Sequence, residues 1–107
     1  MAQTLTFEYD GQKYELEYTR ATVRQMENSG FNIAEIDSKP VTRIPQLWSG
    51  AFICHHRKLS QEKINEIYKH MKRKEELIEK LATMYYEAVS TLIDDDVEDD
   101  DPKKVDW

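Results

Sequence analysis

Asp10-Gly11 stands between two runs in which large apolar side chains alternate with polar ones, and no other feature narrows the fold as much. Both residues suit the positive backbone angles of a type I′ two-residue turn. Residues 3–18 therefore read as a β-hairpin. Fixing the turn there pairs Tyr9 with Gln12, Glu8 with Lys13, Phe7 with Tyr14, Thr6 with Glu15 and Leu5 with Leu16. In that register Leu5, Phe7, Tyr9, Tyr14, Leu16 and Tyr18 share one face, while Glu8 lies opposite Lys13 on the other. A slip by one residue would mix the two faces. A lone hairpin is marginal in water, so its apolar face must rest on other elements.

Those elements are helices. Ile44, Leu47, Trp48, Ala51 and Phe52 fall on one helical stripe, the most apolar of its length in the chain. Burying its four large members contributes on the order of 1.5–3 kcal/mol each, which makes it the natural centre of the core. Asp37-Ser-Lys-Pro40 restrains the entry to this helix, and Pro45 is expected within its first turn, because deeper it would break the hydrogen-bond ladder. Before it, Thr19 or Thr22 can cap a short helix carrying Val23 and Met26, which Gly30 ends as a C′ residue. Phe31 then folds back over that end, and Asn32 to Ile36 form one further turn with Ile33 and Ile36 inward. Ser60 caps the next helix, with Glu62 at its positive end and Ile64, Ile67, Tyr68 and Met71 as its stripe. The later stripe of Leu77, Ile78, Leu81, Met84, Tyr85, Ala88, Val89 and Leu92 is displaced by roughly 85° from it. The jump predicts two helices with a break near residues 72–74.

The fold class is thus α+β: an N-terminal β-hairpin packed on a small bundle of about four helices. One domain spans residues 1–93, and residues 94–107 form an acidic, disordered tail. Residues 1–93 hold 13 basic and 13 acidic side chains. Residues 94–107 hold 2 and 8, so the net charge of −6 resides entirely there. The tail ends in Val105-Asp-Trp107, an unusual place for a tryptophan. No apolar run approaches the ~20 residues of a membrane span, and the first twenty residues lack the order of a secretory signal. The single cysteine, Cys54, excludes an internal disulfide and fits a reducing cytoplasm.

Few residues suggest chemistry. Cys54-His55-His56, with His70 further on, invites a zinc reading, but neighbours on a helix point ~100° apart and no C-x-x-C or H-x-x-x-H spacing supports it. A helix end bearing two exposed histidines is the simpler account, and neither metal nor cofactor is expected. Nothing places a base beside Cys54, nor any acid dyad, which argues against an enzyme. Residues 57–74 carry seven basic side chains against Glu62 and Glu66. With only Tyr68 interleaved, a solvated face is the simpler reading than a nucleic-acid site, though the acidic tail could also lie over it. Tyr86 sits roughly 135° off the last helix's stripe, either as an exposed partner contact or as a cover for the hairpin.

Several phrases together carry a family likeness: Phe-Glu-Tyr-Asp-Gly-Gln-Lys-Tyr at 7–14, Thr-Val-Arg-Gln-Met-Glu at 22–27, Gly-Phe-Asn-Ile at 30–33, Leu-Trp-Ser-Gly-Ala-Phe at 47–52, and Lys-Glu-Glu-Leu-Ile-Glu-Lys-Leu at 74–81. With the acidic end closing on tryptophan, the chain resembles the small tail assembly chaperones of long-tailed, siphovirus-type phages and prophages of Gram-positive bacteria. The likeness covers residues 5–93 in order. It implies a protein that coats the helix-rich tape measure protein and keeps it soluble until tail tube subunits polymerise, and that is absent from the mature virion. The implied partners are the tape measure protein and, secondarily, the major tail protein, in the host bacterial cytoplasm and away from membranes; self-association stays open. No family binding residue transfers to a numbered position. Tyr86, Val105 and Trp107 are the partner-contact candidates that the chain itself offers. The alternative is a small nucleic-acid-binding or regulatory phage protein using residues 57–74, whose DNA binding would weaken steeply with salt.

Overall fold

The computed structural model describes residues 4–90; the expected tail, with Val105 and Trp107, lies outside them. Strands β1 (Thr4–Tyr9) and β2 (Gln12–Glu17) form an antiparallel hairpin in the register read from the sequence, from Thr4 opposite Glu17 to Tyr9 opposite Gln12. Asp10 and Gly11 take φ of 52° and 76°, the two left-handed positions that the turn requires. Four α-helices follow: α1 (Arg20–Asn28), α2 (Pro40–Gly50), α3 (Gln61–His70) and α4 (Lys74–Ser90). A single 3-10 turn over Ile33–Glu35 bridges α1 and α2. The fold is the α+β hairpin-and-helix arrangement expected.

Local chemistry sets each boundary. The Thr19 hydroxyl accepts from the Thr22 N–H at 3.2 Å, and the Thr19 N–H donates to the Thr22 hydroxyl at 2.8 Å, a reciprocal cap at the start of α1. At its end the Phe31 N–H donates to the Met26 carbonyl and the Gly30 N–H to the Glu27 carbonyl, with Gly30 at φ 97°. That is the six-to-one and five-to-two pair of a Schellman motif, and the buried Phe31 closes it. Ser60 caps α3 by accepting from the Lys63 N–H at 3.1 Å. Residues 71–73 separate α3 from α4, with Arg73 at φ 52°, so the break falls where the two stripes lose phase.

Helix α2 is the hub, touching α1, α3, α4 and the 3-10 turn. Leu47, Trp48, Ala51 and Phe52 are buried, and Ile44 is half-buried. The Trp48 ring lies 5.0 Å from Phe52, 5.4 Å from Tyr68 and 6.1 Å from Phe7, and its Nε1–H donates to the Ile64 carbonyl at 2.9 Å. One side chain therefore joins the hairpin, α2 and α3, with its polar atom satisfied. On the far side Tyr85 of α4 meets Tyr18 at 5.5 Å and Phe31 at 5.3 Å, edge to face.

Pro45 departs from expectation. Helix α2 starts at Pro40, so Pro45 lies in the second turn rather than the first. Pro40 already occupies the N1 place where a missing N–H costs nothing. The carbonyl that Pro45 leaves without an N–H belongs to Val41, a residue 88% exposed, and solvent can serve it there.

Candidate functional site

Three surfaces present chemistry. The first is a groove of about 470 Å³ between the end of α1, one side of α2, and the segment leading into α3. Met26, Phe31, Phe52, Leu59 and Ile64 supply its apolar floor, and Gln25, Gln46, Ser49, Gln61 and the cationic Arg57 its polar edges. Gly50 shapes it from below: an added methyl would overlap the Met26 thioether, so α1 and α2 approach this closely only because residue 50 lacks a side chain. Gln61 holds the edge by donating to the Ser49 hydroxyl at 2.7 Å and to Asn65 at 2.9 Å. Periodicity gave no sign of this groove, since it forms between elements 25 to 64 residues along the chain.

The second surface surrounds Tyr86, whose side chain is 54% exposed. With Ile33, Val89 and Phe31 it lines a shallow hollow of about 320 Å³, away from the hairpin. None of the residues that line this hollow belongs to the hairpin. Phe31 borders both hollows, so the Tyr86 surface adjoins the groove. Burial pushes the neighbouring Tyr85 hydroxyl up to about 12, aided by Glu27 and Tyr86.

The third lies where residues 51–56 cross the outer edge of β2. The helical ladder of α2 has ended by then, and residues 51–55 form turns. The Glu17 N–H donates to the Ala51 carbonyl at 3.1 Å and the Glu15 N–H to His56 Nε2 at 3.0 Å. His56 also packs on Tyr14 and Phe52. The expectation of two exposed histidines therefore fails for His56, which turns inward because it serves an otherwise open strand edge. His55 remains exposed, and its Nε2 lies 2.7 Å from Glu17 Oε1 and 2.9 Å from Glu15 Oε2. Cys54 Sγ lies 4.0 Å from Glu17 Oε1. Burial first, then the Glu17 and Glu15 charges, push the Cys54 thiol up, so it is no ready nucleophile.

The basic stretch 57–74 spreads over two helices and their flanking loops rather than one continuous face. Part of it is engaged locally: Lys63 pairs with Glu66 at 3.1 Å, Arg73 with Glu76 at 3.7 Å, and Lys74 lies over the Tyr68 ring. Glu66 also accepts from the Tyr9 hydroxyl at 2.8 Å, fastening the tip of the hairpin to α3. That bond, with Lys63, holds the Glu66 carboxyl below its usual range.

A family model described as Domain of unknown function (DUF5055) matches residues 1–107. No curated protein and no solved structure matches the chain.

Proposed function

The chain belongs to the DUF5055 family, a domain of unknown function, and we propose that it serves as a tail assembly chaperone of long-tailed phages and prophages, binding the tape measure protein before tail tube polymerisation. The observation that carries the reading is the apolar-floored groove beside α2. An amphipathic helix laid there would set its apolar side against Pro45, Ile53 and Leu59, the accessible apolar residues over the buried Met26, Phe52 and Ile64, with its polar flanks against Gln25, Gln46 and Gln61. Tyr86 would extend the contact past Phe31. The ordered likeness of residues 5–93 to such chaperones supplies the identity of the partner.

The charge distribution suits the role. A long helical protein with exposed apolar faces aggregates unless those faces are covered. Eight acidic residues between 94 and 107, on an otherwise balanced chain, give coated complexes a like-charge repulsion. Weak contacts repeated along one long helix accumulate avidity while each remains displaceable by polymerising tube subunits. The work belongs in the host cytoplasm, with the protein left out of the finished virion. Among the described residues no helix is long and apolar enough to cross a membrane.

Co-expression with the tape measure protein tests the reading. A soluble complex captured through this chain is expected, and removal of residues 94–107 should lower its solubility. A tape measure protein equally soluble alone, and never co-purified, would refute the proposal.

A further inference from the structure

The edge of β2 carries a donor set that the chaperone reading does not use. Strand alternation sends Tyr14 and Leu16 into the core and leaves Glu15 and Glu17 together on the opposite face. The bonds to Ala51 and His56 fasten the following segment along that edge at two points. Cys54 and His55 lie between these points, which is why both reach the same carboxylate from 37 and 38 residues away. On a helix, residues 54 and 55 would diverge by ~100° and could not easily share an ion. In turn conformation they converge.

We propose that Cys54, His55 and Glu17 form a binding site for a divalent transition metal ion of the zinc class, with the Glu15 carboxylate at its rim. One oxygen of Glu17, Nε2 of His55 and Sγ of Cys54 make three donors of the types such ions take, and solvent would complete the tetrahedron. The Glu17, Cys54 and His55 donor atoms all lie within 4.8 Å of one another, and His55 Nε2 lies 2.9 Å from Glu15 Oε2. Tetrahedral bonds of about 2.0–2.3 Å place neighbouring donors roughly 3.3–3.8 Å apart. The separations of 2.7 Å from Glu17 to His55 and 4.0 Å from Glu17 to Cys54 bracket that interval, so modest side-chain rotation reaches it. Binding would release the thiol proton to solvent and displace the proton that His55 Nε2 now offers to Glu17 and Glu15, leaving a neutral imidazole protonated on Nδ1. The two carboxylates, which disfavour a bare thiolate, favour a cation in the same place. The ion would clamp the turn after α2 onto the hairpin edge.

Cobalt(II) titration of the full chain is the test, because tetrahedral cobalt with a thiolate ligand gives intense visible bands and a near-ultraviolet charge-transfer band. One equivalent with both signatures, displaced by zinc, is expected. Cys54→Ser should abolish the charge-transfer band, and Cys54→Ser and His55→Ala should each weaken binding by more than about tenfold. His70→Ala should change neither, and zinc should raise the melting temperature of the parent protein but not of Cys54→Ser. Weak octahedral cobalt spectra, or binding undiminished in Cys54→Ser, would overturn the proposal. Failure here leaves the chaperone reading untouched, since no step of it involves the ion.

Discussion

The Tyr18 hydroxyl donates to the Leu47 carbonyl at 2.6 Å across a buried contact. Near the C-terminus of α2 the ladder tightens, and the Ala51 N–H donates to the Trp48 carbonyl rather than to Leu47. Tyr18, just past the end of β2, supplies the missing donor. Sheet and hub helix are thus joined by a bond in the driest part of the protein, where an unmet polar group is costly. Tyr18→Phe keeps the ring and removes only this donor. A loss of about 1–3 kcal/mol is expected from urea unfolding; an unchanged midpoint would show that Leu47 finds another partner.

The same hydroxyl makes the fold alkali-sensitive. Burial raises Tyr18 well above the ordinary tyrosine value, and Tyr85 rises to about 12. An unfolded tyrosine ionises near 10. The stabilisation is therefore complete below that value and is lost as pH rises through the folded one. Urea midpoints should hold to about pH 9 and fall steeply between about 10 and 12. Tyr85→Phe should flatten that fall, and an equal fall in the variant would assign it to other groups.

Gly50→Ala tests the close approach of α1 and α2. Alanine favours a helix by about 1 kcal/mol over glycine. The added methyl would nevertheless meet the Met26 side chain down to Cγ at 2.9 Å. A net loss of about 1–3 kcal/mol is expected. Shortening Met26 to alanine in the same chain should recover part of it, read as a coupling of at least about 0.5 kcal/mol in a double-mutant cycle. Strict additivity would show the contact to be unimportant.

Arg73 holds a left-handed conformation between α3 and α4, and its pairing with Glu76 at 3.7 Å joins two exposed side chains. Such a pair contributes little. Arg73→Gly should therefore raise stability by about 0.5–1 kcal/mol. A loss would mean that the arginine has a further role.

Pro45→Arg separates binding from folding. The substitution restores an N–H to α2 and places a charge on the groove wall. The melting temperature should hold or rise while co-purification of the tape measure protein falls. Retained capture would move the docking surface elsewhere.

What could be read in the chain was local. The Asp10-Gly11 turn set the hairpin register, Gly30 with Phe31 ended α1, and the phase jump after Met71 marked the break, each within a few residues. Pro45 is expected in the first turn of α2 and lies in the second, because Pro40 takes the N1 place and Lys39 supplies no side-chain cap that would fix the start later. The convergence of Cys54 and His55 on Glu17, the inward turn of His56 and the groove depend on where residues 51–61 pass, which tertiary packing decides. No period encodes that path.

The main-chain bond from Glu17 to Ala51 gives the hairpin a standing beyond its size. A chain trimmed to begin at residue 19 would lose Tyr14, Leu16 and Tyr18 from the interior and strip the Leu47 carbonyl of its donor. The smallest autonomous piece of this protein therefore begins with its strands. Fusion partners and affinity handles belong before residue 4, where they leave that first knot tied.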